Sequence, residues 1–520
     1  MPLVARAGGF CSSASDIFEY LLNSHHCTMK FDIASLGAEL TPDRQAIWFQ
    51  GRWYSYRDIN ERANRLANHL ASVGIGFGSR IGFLASNHLA YFDLLLAAPK
   101  LGFILIPYSL RMSVEQLRKA AQATSPQLVL SDARHTEQAR RAFECPLASM
   151  DDVRVWLANA SRMALVAPQL SPESGHLIHF TAGTAHEPKA VLMPYRQTIS
   201  NAQATAMEWD IGPEDCVVQG TDCWHASVNV LSVPLLSIGG RVILMSAFDP
   251  HEYLDLMQRY GATLMALYPA MYESVIQHPD FATADLGQVR WAVSGGANCG
   301  PRQSGPLAAR GIPLIQAYGL TEAGPNCFAV SLDELQANPG TVGRPMSHLQ
   351  AEIRRPDGSA CPDNEPGELT LAGEAICSGY FDSSESWQQS LRDGWLWTGD
   401  IARRDENGLF YILGRSSEVF SCGGALMFPD EIERGISSCD EVAECAVIGI
   451  TDSPSDRNGA ALAAIVLRPG VKQDANLIRA SLRRYLEPHK VPQVMMFVDS
   501  LPRNDVGQVD RNQLRQTLLS

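Results

Sequence analysis

Between residues 46 and 110, short apolar runs alternate with amphipathic helical segments, and this rhythm leaves few folds open to the chain. Two strand-like runs flank Gln50-Gly51 and predict a hairpin. Ser55 and Asp58 then form a capping-box pattern that predicts the start of a helix, and Gly74 predicts its end. Strand-like and helical segments follow in turn as far as Pro107. Such alternation favours an α/β sheet with parallel strands.

The rest of the chain divides into regions of different texture. Up to about residue 345 the alternation continues, whereas residues 345–415 hold short strand-like runs punctuated by Gly, Pro and Asp. Residues 416–520 have the pattern of a compact α+β unit. A chain of 520 residues is expected to hold roughly two to four domains or subdomains. The pattern predicts a large N-terminal domain over 1–415, with a β-rich subdomain over 345–415, and a small C-terminal domain over 416–520.

Charge and cysteine content exclude several classes of protein. The formal charge is 42 − 56 = −14, which disfavours non-specific nucleic-acid binding, because that affinity comes from Lys and Arg at the phosphates. The 12 cysteines show no C-x-x-C spacing and are interpreted as free thiols of a cytoplasmic protein. Lys100 and Pro107 interrupt the longest apolar stretch, so no membrane span is expected, and the N-terminus lacks a secretion signal.

The sharpest local signal is the segment Thr181-Ala-Gly-Thr-Ala-His-Glu-Pro-Lys189, directly after the apolar run 177–180. A strand that leads into a Gly/Thr-rich loop with one lysine is typical of polyphosphate binding, since backbone N–H groups, hydroxyls and a cation all face the oxygens. The segment is not a P-loop of the G-x-x-x-x-G-K-[ST] kind. A polar surface loop with an incidental lysine remains the alternative for this segment taken alone.

Further motifs follow in a fixed order. They are Ser294-Gly-Gly-Ala297, Tyr318-Gly-Leu-Thr-Glu322, Gly394-Trp-Leu-Trp-Thr-Gly-Asp400, Gly414-Arg415, Gly423-Gly424 and Pro429-Asp-Glu-Ile-Glu433. In order and spacing the chain resembles the adenylate-forming superfamily of acyl-CoA synthetases, peptide-synthetase adenylation domains and luciferases, from about residue 35 to 515. The resemblance implies an N-terminal domain of stacked α/β subdomains plus a small β-barrel, and a mobile α+β C-terminal lid.

The resemblance also implies roles for individual residues. Thr321 would bond the α-phosphate and act in catalysis together with Glu322, whose carboxylate would hold Mg²⁺. His225 and Gly319 would line the acyl pocket, and Ser417 would lie at the domain hinge. Gly423 and Gly424 would face CoA once the lid has rotated. The implied nucleotide-binding residues are Thr181, Thr184, Lys189, Gly295, Gly296, Ala297, Tyr318, Thr321, Asp400, Ile412 and Arg415. Turn glycines, a core tyrosine or a capping threonine are the structural alternatives.

Two regions depart from the family pattern. Gln508 stands where the family has a lysine that bridges the carboxylate and the α-phosphate during adenylation. A neutral amide supplies no charge to the departing pyrophosphate. In the phosphate loop, Ala182, Ala185, His186 and Ala190 replace a serine, a threonine and two glycines. Ser417 replaces the usual Asp or Lys of the hinge.

Both main departures affect the adenylation half-reaction. The chain thus resembles, through its missing residues, the non-adenylating CoA ligase of platensimycin-type diterpenoid biosynthesis, in which a separate ligase makes the acyl-AMP. The prediction is an acyl-CoA ligase that uses acyl-AMP and CoA, with Mg²⁺ needed if ATP is used. One alternative is an ordinary ATP-dependent acyl-CoA synthetase. Another is an inactive acyl-adenylate-binding partner of an active ligase.

Overall fold

The computed structural model describes residues 31–166, 168–181, 189–296, 299–381, 383–422, 425–450, 459–483, 486–503 and 509–519. Several predicted site residues lie outside these ranges, and nothing is concluded about their placement. They are Thr184, Ala297, Gly423, Gly424 and Gln508, together with the substituted loop positions Ala182, Ala185 and His186.

Strands and helices alternate along most of the described chain. The strands of the first half are β1 (Gln45–Phe49), β2 (Arg52–Ser55), β3 (Arg80–Leu84), β4 (Ile104–Pro107), β5 (Leu128–Ser131), β6 (Leu147–Ser149), β7 (Gly175–Thr181), β8 (Lys189–Pro194), β9 (Cys216–Gln219) and β10 (Arg241–Leu244). Those of the second half are β11 (Leu264–Ala266), β12 (Trp291–Ser294), β13 (Leu314–Gln316), β14 (Phe328–Ala329), β15 (Arg344–Pro345), β16 (Leu349–Arg354), β17 (Gly367–Gly373), β18 (Gly379–Tyr380), β19 (Leu391–Arg392), β20 (Trp395–Arg404), β21 (Phe410–Arg415), β22 (Phe420–Cys422), β23 (Ala425–Met427), β24 (Val442–Ile450), β25 (Ala460–Leu467) and β26 (Val494–Phe497).

The helices fill most of the connections between these strands. They are α1 (Ile33–Leu40), α2 (Tyr56–Ser72), α3 (Leu89–Leu101), α4 (Val114–Thr124), α5 (Thr136–Ala142), α6 (Met150–Asn159), α7 (Tyr195–Glu208), α8 (Ser232–Ser237), α9 (Pro250–Tyr260), α10 (Pro269–Gln277), α11 (Pro301–Ala309), α12 (Leu332–Ala337), α13 (Ser384–Ser390), α14 (Pro429–Ser437), α15 (Ala475–Leu482) and α16 (Arg511–Leu519). In the described part of the chain, three short 3-10 helices lie at Ala226–Asn229, Pro279–Ala282 and Pro488–Lys490. Within the described residues, every helix is too short or too polar to cross a membrane.

Two seven-stranded sheets form the large domain. The first has the order β6-β5-β3-β4-β7-β8-β18, parallel as far as β7 and antiparallel beyond it. The second has the order β13-β12-β11-β9-β10-β1-β2, parallel except for β2. Parallel strands need helical crossovers and are buried on both faces, which explains the continuous apolar runs in β3 and β4. The predicted α/β fold is confirmed.

Helices α2 and α3 join the two sheets into one apolar core. The core contains Leu66 of α2 and Leu94 of α3, along with Ile47 of the second sheet and Leu105 of the first. The predicted capping box begins α2, because the Ser55 side chain accepts from the backbone of residue 58 and the residue 58 carboxylate accepts in return. This packing fixes the relative position of the two sheets, on which the site below depends.

The β-rich region is a five-stranded antiparallel sheet with the order β16-β17-β20-β19, in which β21 also pairs with β20. Strand β20 is ten residues long. Its first half lies in the motif 394–400, for which no strand was predicted. The last residues form a small domain, in which β24, β25 and β26 make a three-stranded sheet with α14 packed against β24. Its apolar core includes Ile432, Ile465 and Leu482 and is separate from the others.

Candidate functional site

A cavity of about 120 Å³ lies at the carboxyl ends of the parallel strands of the second sheet. Thr221 and His225 follow β9, Leu267 and Tyr268 follow β11, and Gly295 follows β12. Ligands commonly bind at this edge of an α/β sheet, because the loops that leave neighbouring strands converge there. The lining residues are Thr221, His225, Ala226, Ser227, Val230, Ala266, Leu267, Tyr268, Val293, Gly295, Gly296, Ala317, Gly319, Leu320, Thr321 and Pro325. The fold thus brings together His225 and two of the predicted motifs, 294–297 and 318–322.

Two of the lining glycines are required by the backbone. A Cβ on Gly319 would lie 2.0 Å from the carbonyl oxygen of Pro325, which no side chain can tolerate. Gly296 has φ +78°, in the left-handed region that favours glycine. These glycines therefore have a structural reason to be present whether or not a ligand approaches them.

Asp400 lies at the centre of a polar cluster beside the cavity. Its Oδ2 accepts a hydrogen bond of 2.5 Å from the Tyr318 hydroxyl, and its Oδ1 lies 2.9 Å from Nε of Arg415. The carboxyl is buried, and this burial raises its pKa against the opposing effects of Arg415 and Tyr318. Ile412 packs with Tyr318 against the same apolar core. These four predicted nucleotide-site residues are therefore close together.

The motif that ends at Asp400 predicts a ribose-facing carboxylate at a loop end with few core contacts, and this prediction is wrong. Asp400 lies within β20 and pairs with Arg415 of β21. Its side chain is only 6% exposed. A buried carboxylate with two strong partners contributes to folding as well as to any ligand site. Gly399, the residue before Asp400, has a positive φ of 73°, in the left-handed region that favours glycine.

Lys189 and Glu322, from distant parts of the sequence, meet through Tyr380. The Lys189 ammonium lies 4.4 Å from the centre of the Tyr380 ring and donates to its hydroxyl at 3.4 Å. That hydroxyl donates to Oε1 of Glu322 at 3.1 Å. Thr181 pairs with Lys189 at the base of the phosphate loop. Tyr380, which follows Gly379, was not among the site residues predicted from the sequence.

Replacing Tyr380 by phenylalanine should weaken binding of Mg·ATP by about 3–10-fold and leave AMP affinity unchanged. The change removes one hydrogen bond to Glu322, worth about 0.5–1.5 kcal/mol, and keeps the ring beneath the Lys189 ammonium. Calorimetric titrations with each nucleotide measure the effect. Tyr380→Leu, which also removes the ring, should weaken Mg·ATP further. Equal loss of AMP and Mg·ATP affinity would mean that Tyr380 acts only through folding.

His225 lies next to Tyr268 in the wall of the cavity. Its Nδ1 lies 2.7 Å from the Tyr268 hydroxyl. Burial, together with the nearby Arg111 charge, lowers the pKa of His225 to about 4. The ring is therefore neutral at pH 7. His225 and Gly319 both line the cavity, and their role in binding an acyl group stays a prediction.

The segment after Arg415 connects the two domains. Ser417 is exposed, whereas the backbone of its neighbour Ser416 donates to the carbonyl of Gly399 at 2.8 Å. Arg511 was not among the site residues predicted from the sequence. Its guanidinium forms ion pairs with three carboxylates, those of Glu418 at 3.2 Å, Asp430 at 3.6 Å and Glu433 at 2.7 Å. The guanidinium thereby ties the chain just after Gln508 to the segment just after the predicted hinge.

The fold and the site define a two-domain α/β protein. A cavity lies at the edge of one sheet, with residues of the predicted motifs around it. Residues 36–381 match the AMP-binding enzyme family, and residues 431–508 match the AMP-binding enzyme C-terminal domain. The first match covers well over half of the chain. The chain belongs to the AMP-binding enzyme family.

Individual relatives cover almost all of the chain. Feruloyl-CoA synthase of an Amycolatopsis species is 28% identical over 492 residues, which span 92% of this chain and 97% of the relative. Indoleacetate–CoA ligase of Aromatoleum aromaticum is 28% identical over 492 residues, spanning 92% and 96%. Among solved structures, ATP-bound MatB of Rhodopseudomonas palustris is 27% identical with a TM-score of 0.84, spanning 93% and 98%. These comparisons agree with the two-domain architecture.

Proposed function

We propose that this protein is an acyl-CoA ligase that joins the acyl group of an acyl-adenylate to CoA, and that its own adenylation half-reaction is weak. The two relatives named as CoA ligases or synthases, each spanning 92% of this chain, support the ligase class. A separate adenylating enzyme would then supply the acyl-adenylate. The described cysteines are free thiols, which fits a cytoplasmic protein.

The observation that carries this proposal is the uneven loss of functional groups. Gln508 and the replacements Ala182, Ala185 and His186 fall on positions that the family uses for the triphosphate. The groups assigned to the adenylate, namely Thr321, Asp400 and Arg415, are all present. Selective loss on the pyrophosphate side weakens formation of the adenylate and leaves its use intact.

The reaction itself needs little from the protein beyond positioning. The CoA sulfur attacks the acyl carbonyl carbon, the bond from that carbon to the phosphate oxygen breaks, and AMP leaves with the bonding electrons while the thiol proton passes to solvent. Thr321 is assigned to the phosphate, and Asp400 with Arg415 to the ribose. Holding the two reactants together in this geometry accounts for much of the rate that such a site can supply.

A magnesium ion, needed only if ATP is used, would be held by Glu322. Proteins commonly bind Mg²⁺ through one or two carboxylates together with substrate phosphates, and the half-buried Glu322 offers one carboxylate, oriented by Tyr380. The donor set therefore fits the ion, which would neutralise phosphate charge when bound.

An ordinary ATP-dependent acyl-CoA synthetase is the second candidate. The connected group of Lys189, Tyr380 and Glu322 favours it, because a cation and a carboxylate beside the phosphate loop are of use mainly for a triphosphate and its metal ion. Retention of this group means that some adenylation activity is compatible with the site.

Parallel assays distinguish the candidates. With acyl-AMP and CoA, the proposal expects rapid formation of acyl-CoA and AMP, and with acid, ATP, Mg²⁺ and CoA it expects a rate lower by about 10²–10³. Similar rates in the two assays would establish the ordinary synthetase. Tight acyl-AMP binding without turnover in either assay would indicate an inactive binding protein.

A further inference from the structure

The acyl side of the cavity has no formal charge among its described lining residues. Its wall consists of Thr221, Ser227, Val230, Tyr268 and the neutral His225. The Arg111 guanidinium, whose charge acts on His225, does not line the cavity and instead lies 5.7 Å from the centre of the Trp224 ring. A second carboxylate on the acyl group would therefore be buried without a partner, which is strongly unfavourable.

Most polar groups of this wall already bond to one another. Thr221 Oγ1 donates to Ser227 Oγ at 2.9 Å, and Ser227 Oγ donates to the Asp222 carbonyl at 3.3 Å. The Tyr268 hydroxyl pairs with His225 Nδ1. Among the described residues that line the cavity, His225 has a ring nitrogen, Nε2, with no hydrogen bond to a protein group. The wall therefore offers an incoming group one neutral polar atom at this point.

The size of the cavity limits the acyl group. The free volume is about 120 Å³ and includes the space beside Gly295, Gly296 and Thr321, where the carboxyl carbon and phosphate would lie. An engineered apolar cavity of about 150 Å³ holds one benzene molecule. A long alkyl chain therefore exceeds the available space, and the acyl group that fits is no larger than about one six-membered ring.

We propose that the acyl group of this protein is uncharged, contains no more than a single six-membered ring, and carries a neutral hydrogen-bonding substituent that meets Nε2 of His225. This inference rests on the proposed ligase function for the reaction but concerns the pocket alone. It makes His225 a specificity-determining residue, because it would distinguish substituted from unsubstituted rings.

Non-reactive acyl-sulfamoyl adenosines test the pocket independently of turnover. The series consists of benzoyl, 4-hydroxybenzoyl, 4-carboxybenzoyl and hexadecanoyl analogues, with affinities measured by calorimetry. We expect the 4-hydroxybenzoyl analogue to bind about 3–10-fold tighter than benzoyl, and the 4-carboxybenzoyl and hexadecanoyl analogues to bind roughly 10²-fold weaker. Tightest binding of the carboxylated or the long-chain analogue would overturn the inference.

The His225→Ala variant assigns the discrimination to the histidine. In this variant the 4-hydroxybenzoyl and benzoyl analogues should bind with about equal affinity, because the hydrogen bond to the His225 side chain is what separates their affinities. His251→Ala, which removes an exposed histidine outside the cavity, is the matched control and should keep the preference. A preference that survives His225→Ala would contradict the assignment. Thioester formation from benzoyl-AMP and 4-hydroxybenzoyl-AMP is measured in parallel, so that an absence of turnover counts against the ligase proposal while the binding order still judges the pocket.

Discussion

Replacing Gln508 by lysine is expected to leave acid-dependent pyrophosphate release well below the rate of ordinary ATP-dependent synthetases. The lysine stabilises charge on the departing pyrophosphate, and losing such a contact commonly reduces the rate by about 10²–10³. The phosphate loop carries separate defects at Ala182, Ala185 and His186. Because positioning and electrostatic stabilisation act together, repair of one leaves the other limiting.

The combined repair should have the larger effect. Ala182→Ser, Ala185→Thr and His186→Gly together with Gln508→Lys are expected to raise pyrophosphate release more than either repair alone, because both the loop and the charge are restored. Gln508→Met is the matched control for side-chain length without charge. The unmodified protein should already form the thioester from supplied acyl-AMP and CoA. Full activity from Gln508→Lys alone would mean that the loop substitutions are harmless.

Asp400→Ala should weaken acyl-adenylate binding and also lower the free energy of unfolding. The charge-assisted hydrogen bond that Asp400 accepts from Tyr318 is worth about 1.5–3 kcal/mol, and the ion pair with Arg415 is lost as well. The effect on folding follows from the burial of the carboxylate within β20, because its removal leaves the Tyr318 hydroxyl without this acceptor. Chemical denaturation and calorimetry with AMP measure the two effects separately.

Two further variants control for this interpretation. Asp363→Ala removes a more exposed carboxylate that pairs with Arg404 at 2.7 Å in the same region, and it should change the unfolding free energy by less than about 1 kcal/mol. Asp400→Asn keeps the shape and one acceptor oxygen, so it should fold better than the alanine variant. If Asp400→Ala left both stability and AMP affinity unchanged, Asp400 would be neither a structural nor a ligand-binding group.

The mechanism as proposed separates two sets of residues by the half-reaction they serve. The group formed by Lys189, Tyr380 and Glu322 is assigned to the triphosphate side, whereas Asp400 and Arg415 are assigned to the adenylate that both half-reactions share. Variants of the first group should therefore affect only reactions that begin from ATP. Variants of the second group should affect both reactions, and this difference makes the assignment testable with the assays already described.

The sequence by itself determined the class of fold and the order of the motifs. The hairpin of β1 and β2, the capping box at Ser55 and the alternation of apolar runs with helices were predicted correctly, because each depends on residues close together in the chain. Gly296 and Gly319 were also recognised from a local motif. Local propensity and periodicity are sufficient where neighbours in sequence are neighbours in space.

Only the tertiary structure decided which side chains meet. Tyr318 and Asp400 are 82 residues apart, and Lys189 and Tyr380 are 191 residues apart, so no local pattern reports their contact. The burial of Asp400 could not be predicted from the motif around it. The carboxylate is buried because β20 pairs with both β17 and β21. The role of Arg511 likewise depends on the packing of α14 beside the last segment of the chain. Long-range strand pairing and helix packing set these distances, and a single sequence carries no direct record of either.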